Sequence, residues 1–457
     1  MDLVLGLGSS GEAMVRWLAH RGVAVRAADT RGQPPAAAGL RALLPSDSMV
    51  LGRPFEEALL EGVERVWLSP GLSPELPLCR EARARGIPVQ GELALFHEAW
   101  QARGRPGRLV AVTGTNGKTT TTALTAHLLR HAGLDALAAG NIAPAILTAA
   151  REREEAGLPW PEVWVLEVSS FQLETAGSFV AHAAVVLNVT EDHLDRHGSL
   201  ETYAALKARV YQGVETAVVV RDDALVREMA CSAPRRVTVG SDAPPSEADF
   251  GVESGWFVHG RQRLAPRSAL PLPGRHNEID ALAALALAEA MGVAPEVAIE
   301  GLVTFQGLPH RVETVAVRAD GARFIDDSKG TNVGATIAAL AGFDEPVILI
   351  AGGDGKGQSF APLAQAARGR VRLALLIGRD APALEAAFIQ VGVPTRRCTS
   401  LPEAVEAADA AAQPGEAVLL SPACASLDMF RDYAHRAQVF LAAIRSLPDE
   451  GGRWPKR

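Results

Sequence analysis

Leu109-Val110-Ala111-Val112-Thr113-Gly114-Thr115-Asn116-Gly117-Lys118-Thr119-Thr120 is the stretch from which the rest of the chain can be read. Five apolar or β-branched residues run into a glycine-bounded loop, then a lysine and two threonines, then Thr121 to Arg130 with helical composition. Strand, glycine loop, lysine, hydroxyl and helix in that order aim backbone N–H groups and a helix N-terminus at phosphate oxygens. The pattern assigns Gly114, Thr115, Asn116, Gly117 and Thr120 to the cradle of a nucleoside triphosphate. It gives Lys118 the β and γ phosphates, and the Thr119 hydroxyl a Mg²⁺ ion. Val112 stands where the full eight-residue pattern has its first glycine, so the loop is a variant of the phosphate loop.

Outward from this loop, short apolar runs alternate with longer helical stretches, the pattern of parallel sheets with crossover helices. Strands are expected at Leu3 to Gly6, Val23 to Ala28, Val66 to Ser69, Leu109 to Thr113, Val163 to Val168, Val185 to Val189, Val347 to Ala351, Leu373 to Ile377 and Val418 to Ser421. Most of them run into Gly, Ser, Asn or Thr. Ligands of open α/β sheets collect at the carboxyl ends of strands, so chemistry is expected there. Gln101 to Arg108 (QARGRPGR) and Gln306 to Arg311 (QGLPHR) lack apolar periodicity and read as linkers, whereas the alanine-rich 280–290 and 404–412 are helical in composition.

The chain has 457 residues, 48% hydrophobic and 21% charged, a globular composition long enough for about three domains. A net charge of -8 without a basic stripe excludes a nucleic-acid groove as the main surface. No apolar run reaches membrane-spanning length, and MDLVLGLGSSGEAM reads as a strand entering a glycine turn, not as a targeting segment. Cys79, Cys231, Cys398 and Cys424 have no paired spacing, so free thiols in a reducing cytoplasm are expected. Of 45 cationic residues only five are lysines: Lys118, Lys207, Lys329 and Lys356 lie in motifs, and Lys456 in the tail. Elsewhere arginine supplies positive charge, so a retained lysine marks a need for a compact cation or a primary amine.

Three of the remaining candidates can be argued from their neighbours. Glu167 ends the apolar run from Val163, and a carboxylate at the tip of a buried strand needs a cation, an arginine or a Mg²⁺ ion. His193, in Asn188-Val189-Thr190-Glu191-Asp192-His193, follows another strand and can face the same edge. It is either a metal ligand or a hydrogen-bonded structural residue. Lys207 shares a helical face with Leu200, Tyr203 and Val210, and spacing alone favours an apolar stem with the ammonium snorkelling to water. At the N-terminus, Gly6-Leu7-Gly8-Ser9-Ser10-Gly11 with Asp29 satisfies a dinucleotide fingerprint, which reports only a diphosphate cradle and a carboxylate for a sugar hydroxyl. With a triphosphate loop in the next domain, a nucleotide-linked substrate is the better reading than NAD.

Taken together, GTNGKTT (114–120), LEVSSFQLE (166–174), NVTEDHLDRH (188–197), ALKARVY (205–211), GRHNEIDALAALALAEAMG (274–292), GLPHRVE (307–313), DDSKGTNVGAT (326–336), GGDGKG (352–357) and SPACASLDMF (421–430) resemble the Mur ligase family of peptidoglycan synthesis over essentially the whole chain. The last three resemble its glutamate-adding branch. The resemblance implies an α/β fold of three domains. They are an N-terminal Rossmann-like UDP-substrate domain (1–96), a central P-loop ATPase-like domain with a mostly parallel sheet (97–307), and a C-terminal Rossmann-like amino-acid domain (308–457). It implies ATP, two Mg²⁺ ions, UDP-N-acetylmuramoyl-L-alanine and D-glutamate as ligands of a cytoplasmic monomer, with an acyl phosphate as intermediate.

By the same resemblance, Ser9, Asp29, Thr30, Arg31, Ser69, Pro70, Gly71 and Asn141 face the UDP substrate. Asn277, His310, Arg311 and Asp326 face ATP or the hinge, with Lys329 as a catalytic cation. Thr331, Lys356, Ser421 and Phe430 face D-glutamate. Lys207 becomes a carbamylated lysine that joins Thr119, Glu167 and His193 as a metal ligand, against the snorkelling read from spacing. Gly330 stands where a relative carries alanine. The alternatives are a sister or folylpolyglutamate-type amide ligase, an NAD-dependent oxidoreductase resting on Gly6 to Gly11, and a regulatory or transport NTPase resting on Gly114 to Thr119.

Overall fold

Every expected strand is present, and the strands assemble into three separate sheets. The computed structural model describes residues 1–229, 231–272 and 274–448; Lys456 lies outside the described residues. By contact density the chain forms two units. The first comprises Met1–Asn188, Ala204–Arg267 and Asp280–Leu302, and the second Val189–Tyr203, Ser268–Ile279 and Val303 onward.

The first unit holds two sheets. In one, β1 (Asp2–Leu5), β2 (Val25–Asp29), β3 (Met49–Leu51), β4 (Arg65–Leu68) and β5 (Val89–Gln90) run parallel in the order β3-β2-β1-β4-β5. The order reverses beside β1, which opens a crevice at its carboxyl end. The second sheet contains β6 (Arg108–Thr113), β7 (Ala136–Gly140), β8 (Val163–Glu167), β9 (Ala183–Val186), β10 (Thr216–Val220), β11 (Arg235–Val239), β12 (Phe250–Glu253), β13 (Trp256–His259) and β14 (Gln262–Pro266). Its order is β14-β13-β12-β11-β10-β9-β6-β8-β7, parallel except for the antiparallel edge from β12 to β14. Strands β8, β9 and β10 are buried along their whole length, as expected where helices cover both faces, and this explains their mainly apolar sequences.

The second unit carries β15 (Glu313–Val317), β16 (Arg323–Asp326), β17 (Val347–Gly352), β18 (Val371–Ile377), β19 (Thr395–Arg397) and β20 (Ala417–Leu420). They order as β15-β16-β20-β17-β18-β19, with only β15 antiparallel. Both alanine-rich tracts are helical, 280–290 within Arg275–Ala290 and 404–411 within Leu401–Ala411, which Ala412 ends. Cys79, Cys231, Cys398 and Cys424 are free, and burial pushes the Cys79 thiol up to about 11 and Cys424 up to about 12, far from thiolate reactivity. No described helix is long and apolar enough to cross a membrane.

Within the first unit the two sheets are joined through three helices, Ser9–His20, Glu92–Ala102 and Ile146–Glu155, which pack on one another. Phe96 stacks on Trp160 at 5.6 Å and meets Trp164 edge-on at 5.1 Å, while Trp17 approaches Trp160 from the first helix. Such pairs contribute about 1 kcal/mol each beyond their buried area. The helix Glu92–Ala102 also buries a carboxylate, Glu92, 1% exposed, which accepts from the Leu147 amide at 3.1 Å. Burial pushes its pKa up to about 7, against the Ser10 hydroxyl and the Leu147 and Ile146 amides.

A carboxyl raised above its unfolded value of 4.5 gives its full contribution to stability below that pH and loses it as pH rises through about 7. The loss is on the order of 3 kcal/mol. Glu92→Gln, which cannot ionise, is therefore expected to gain on the wild type as pH rises from about 5 to about 8. Urea unfolding at several pH values checks this, and a stability difference independent of pH would contradict it.

Candidate functional site

Strand register places the motifs. In the first unit β6 lies between β8 and β9, with Val112 opposite Glu167 and Thr113 opposite Val186. The phosphate loop therefore leaves the sheet between the end of β8 and the segment after β9. Asn188 braces it from that segment, its Oδ1 and carbonyl oxygen accepting from the amides of Asn116 and Thr115 at 2.9 Å, and its Nδ2 donating to the Asn116 carbonyl. Gly117 precedes the helix Lys118–His131 with φ +84°, and a Cβ there would come within 2.2 Å of Asp280 Oδ1. Only glycine fits both constraints.

Lys118 folds back over the loop, its Nζ donating to the carbonyls of Gly114 (2.9 Å) and Thr115 (2.7 Å). Lys207 is 1% exposed, and its Nζ also donates to the Gly114 carbonyl, at 2.8 Å. The snorkelling read from spacing is thus wrong: the amine is buried, and a backbone carbonyl receives it in place of water. Two amines on one carbonyl oxygen concentrate positive charge where a polyphosphate would lie. Thr119 is partly exposed in the first turn of that helix.

Glu167 ends β8 at 1% exposure; its Oε1 accepts from Asn141 Nδ2 at 2.6 Å, and its Oε2 has no hydrogen-bond partner among the described residues. A buried carboxylate oxygen left in this state suits a hard cation.

At the other sheet of this unit, Gly6 takes φ +83°, and a Cβ on Gly11 would sit 1.8 Å from the Gly6 carbonyl, so the helix Ser9–His20 can start against the turn only with glycine at that position. Ser9 is exposed at the helix start, and Ser69, Pro70 and Gly71 follow β4, the neighbour of β1. Asp29 accepts from the Leu7 amide at 2.7 Å and binds the Arg31 guanidinium through both oxygens, while Thr30 is exposed. Burial works against the ionised Asp29 carboxyl, but Arg31 and the two amides outweigh it and hold it below its usual pKa.

In the second unit β20 lies between β16 and β17, so the loops after Asp326, Leu420 and Gly352 leave one edge as neighbours. Ser421, fully buried, donates to Asp327 Oδ2 at 2.7 Å, and a Cβ on Gly330 would lie 2.6 Å from that oxygen and 2.9 Å from Ser421 Oγ. Burial pushes Asp327 up to about 7. His310, at φ +64°, contacts Asp326 at 2.7 Å. Lys329 stands 3.7 Å over the Tyr433 ring, and Thr331 follows it in the same turn, its amide donating to the Lys329 carbonyl. Asn277 is buried, Arg311 half-buried, and Phe430 packs beside the core of this sheet.

Lys356 adopts φ +53°, its amide held by Asp354, and its Nζ donates to Asp192 Oδ1 at 2.7 Å. Asp192 belongs to the 189–203 segment of this unit, as does its neighbour His193, which has φ +54°. Arg436 is fully buried, donating to the Ser328 carbonyl at 2.8 Å and the Cys424 carbonyl at 3.1 Å. Asn188, Asp192, Asp280, Asp327 and Arg436 were not singled out from sequence. Asn188, Asp192, Asp280 and Asp327 lie inside quoted motifs that carried a signal, whereas Arg436 had none.

Family models match the chain in three stretches, described as Mur ligase MurD-like, N-terminal domain (1–91), Mur ligase middle domain (112–288) and Mur ligase, glutamate ligase domain (310–424). A UDP-N-acetylmuramoylalanine–D-glutamate ligase of Aromatoleum aromaticum is 53% identical over 454 residues, 98% of this chain and 97% of the relative. A protein of the same name from Paraburkholderia xenovorans is 48% identical, over 99% of this chain and 97% of its own. Among solved structures, a UDP-N-acetylmuramate-alanine ligase of Thermotoga maritima shares the fold with TM-score 0.62 at 20% identity, over 97% of this chain and 99% of that one.

Gly117→Ala combines a left-handed backbone with a collision at Asp280 and is expected to weaken ATP binding at least about tenfold, equivalent to roughly 1.4 kcal/mol. Calorimetric titration with the folded variant checks it. Unchanged affinity would show that the loop does not hold phosphate in this conformation.

Proposed function

The chain belongs to the Mur ligase family, and on that premise we propose that it joins D-glutamate to UDP-N-acetylmuramoyl-L-alanine, driven by ATP, in peptidoglycan precursor synthesis. Relatives that bear the name of this ligation match almost end to end. The observation that carries the reading is the meeting of two lysines on the Gly114 carbonyl in a loop braced for polyphosphate. Residues 1–96 hold the uridine diphosphate part, 97–307 the ATP and 308–457 the amino acid. Four free cysteines agree with a cytoplasmic site of action.

A carboxylate is a poor acyl donor because its leaving group would be oxide. Transfer of the γ-phosphoryl group to the carboxylate of UDP-N-acetylmuramoyl-L-alanine gives an acyl phosphate and ADP. The D-glutamate amine then attacks the carbonyl carbon, phosphate leaves, and the nitrogen loses its proton. Lys118 disperses charge on the transferring phosphoryl oxygens, a role suited to a compact cation already bent over the loop. Thr119, Glu167, His193 and Lys207 are the residues that would hold Mg²⁺, and the unpartnered Glu167 Oε2 fits that role. Bound there, the ions neutralise phosphate oxygens.

Lys207 as an ammonium would repel both Lys118 and a cation. As a carbamate it offers oxygen ligands and ends the conflict on the Gly114 carbonyl, which favours carbamylation of this buried amine. Ser9, Asp29, Thr30, Arg31, Ser69, Pro70, Gly71 and Asn141 receive the nucleotide-linked acid. Asn277, His310, Arg311 and Asp326 serve ATP and the hinge, with Lys329 supplying a further positive charge. Lys356, Thr331, Ser421 and Phe430 receive D-glutamate, whose carboxylate takes the place on Lys356 now held by Asp192.

Phosphate release measured across a panel of amino acids is expected to respond to D-glutamate alone, and hydroxylamine added with ATP and the UDP-linked acid is expected to trap an acyl group. Release that ignores both substrates would end the reading. Lys207→Ala is expected to lose on the order of a thousandfold in kcat, partly restored by short carboxylic acids, which leave Lys118→Ala inactive. Full activity of Lys207→Ala without additives would remove the carbamate.

A further inference from the structure

Lys207 and Asn188 both act on the phosphate loop, yet they lie on separate segments of the chain. We propose that Tyr211 is the positioning residue that sets both of them on the loop. Its hydroxyl fastens the helical segment that carries Lys207 to the strand end from which Asn188 departs. The inference rests on the reading of Gly114 to Thr120 as the seat of ATP.

The phenol oxygen accepts from the Val186 amide at 2.9 Å and donates to the Val218 carbonyl at 2.7 Å. Val186 ends β9 and lies opposite Val219 of the parallel neighbour β10, so one hydroxyl bridges an amide of the first strand and a carbonyl of the second where their pairing closes. Tyr211 is 2% exposed, and burial pushes its pKa up, so the hydroxyl keeps the proton that the Val218 carbonyl receives.

Two paths lead from this bridge to the loop. Along the chain, the helix Leu200–Ala208 runs on into a tighter helical turn, Arg209–Tyr211, which puts Tyr211 about one turn beyond Lys207. Fixing the phenol therefore fixes the backbone under the buried amine that donates to the Gly114 carbonyl at 2.8 Å. Along β9, the next residue faces the other neighbouring strand, its Leu187 amide donating to the Thr113 carbonyl at 2.9 Å, just before the loop. Asn188 follows and holds the amides of Thr115 and Asn116. Gly114 is seated on the same two residues: a Cβ there would lie 3.0 Å from Leu187 Cβ and 3.3 Å from the Asn188 nitrogen.

Packing does not account for the oxygen, since phenylalanine would fill nearly the same volume without a buried polar group. Removing the hydroxyl takes a partner from both the Val186 amide and the Val218 carbonyl, and buried backbone groups in that state are unfavourable. Strands β9 and β10 relieve the loss by closing on each other. Because β9 lies between β10 and β6, that closure draws Leu187 and Asn188 away from the strand that enters the loop. It also frees the Lys207 segment from its tie to the sheet.

Steady-state kinetics of the full chain with ATP, UDP-N-acetylmuramoyl-L-alanine and D-glutamate test the assignment. Tyr211→Phe is expected to raise KM for ATP about tenfold and to lower kcat about tenfold, with KM for the other two substrates within about twofold. Phe257→Leu, in the buried core of β13 in the same sheet, is the comparison for a general loss of stability and is expected to keep KM for ATP within about twofold. Should Tyr211→Phe not fold, para-aminophenylalanine in place of Tyr211 carries the test. Its amino group still donates to Val218 but, with its lone pair drawn into the ring, accepts poorly from Val186, and a rise of about threefold in KM for ATP is expected.

A folded Tyr211→Phe with wild-type KM for ATP and wild-type kcat overturns the inference. So does an equal loss toward all three substrates, a matching rise in KM for ATP in Phe257→Leu, or, in the fallback, an unchanged KM for ATP. A wild-type protein that does not bind ATP sinks this inference together with the proposed function. Normal wild-type binding with unresponsive variants sinks this inference alone.

Discussion

Lys207 has been taken out of water and its amine set on the carbonyl oxygen of Gly114, the residue that Lys118 also holds. Desolvating a lysine is costly, and placing it beside a second one adds repulsion. The arrangement is stable only where something anionic answers it, and the loop around it is built for anions. Asn188 fixes the loop's amides, Gly117 supplies the backbone that no other residue adopts without strain, and the helix Lys118–His131 starts there. The loop's suitability for a polyphosphate follows from this one crowded carbonyl.

Sheet order then distributes the other functions. A strand inserted between two others releases its loop between theirs, and this occurs with β6 in the second sheet and β20 in the third. In each case motifs far apart in sequence leave as neighbours: the phosphate loop with Glu167 and Asn188, and Ser421 with Asp326 and the Gly352–Gly357 loop. The first sheet does the same at β1, next to Ser69 and Asp29. Three sheets on a single chain thus follow one construction rule.

How much of this was legible beforehand depended on the range of the interaction. Apolar runs and glycine spacing are local, so nine of the strands, the phosphate loop and the diphosphate turn could be read directly, with strand ends misplaced by up to three residues. Strand Val185 to Val189 shows why: it is read from apolar composition, but pairing stops at Val186 because Asn188 leaves the ladder to hold the loop. The antiparallel edge from β12 to β14 went unread, its strands being short and half-exposed and carrying polar residues on their outer faces. Lys207 was misjudged from spacing because helical periodicity reports which face is apolar, not whether a carbonyl waits beneath it. Glu92 and the Asp192–Lys356 pair depend on partners 55 and 164 residues away, which no local pattern encodes.

Arg436 gives the last helix a part in this arrangement. One guanidinium, with no carboxylate bonded to it among the described residues, holds the carbonyls of Ser328 and Cys424, and so fastens the turn before Lys329 and the loop after Ser421. Burial lowers its pKa to about 10, still well above neutrality, so the clamp stays charged. Tyr433, three residues earlier on the same helix, lies under the Lys329 ammonium. Substitution on the buried side of this helix would therefore displace the turn before Lys329 and the loop after Ser421 together, well before the packing of the sheet itself gave way.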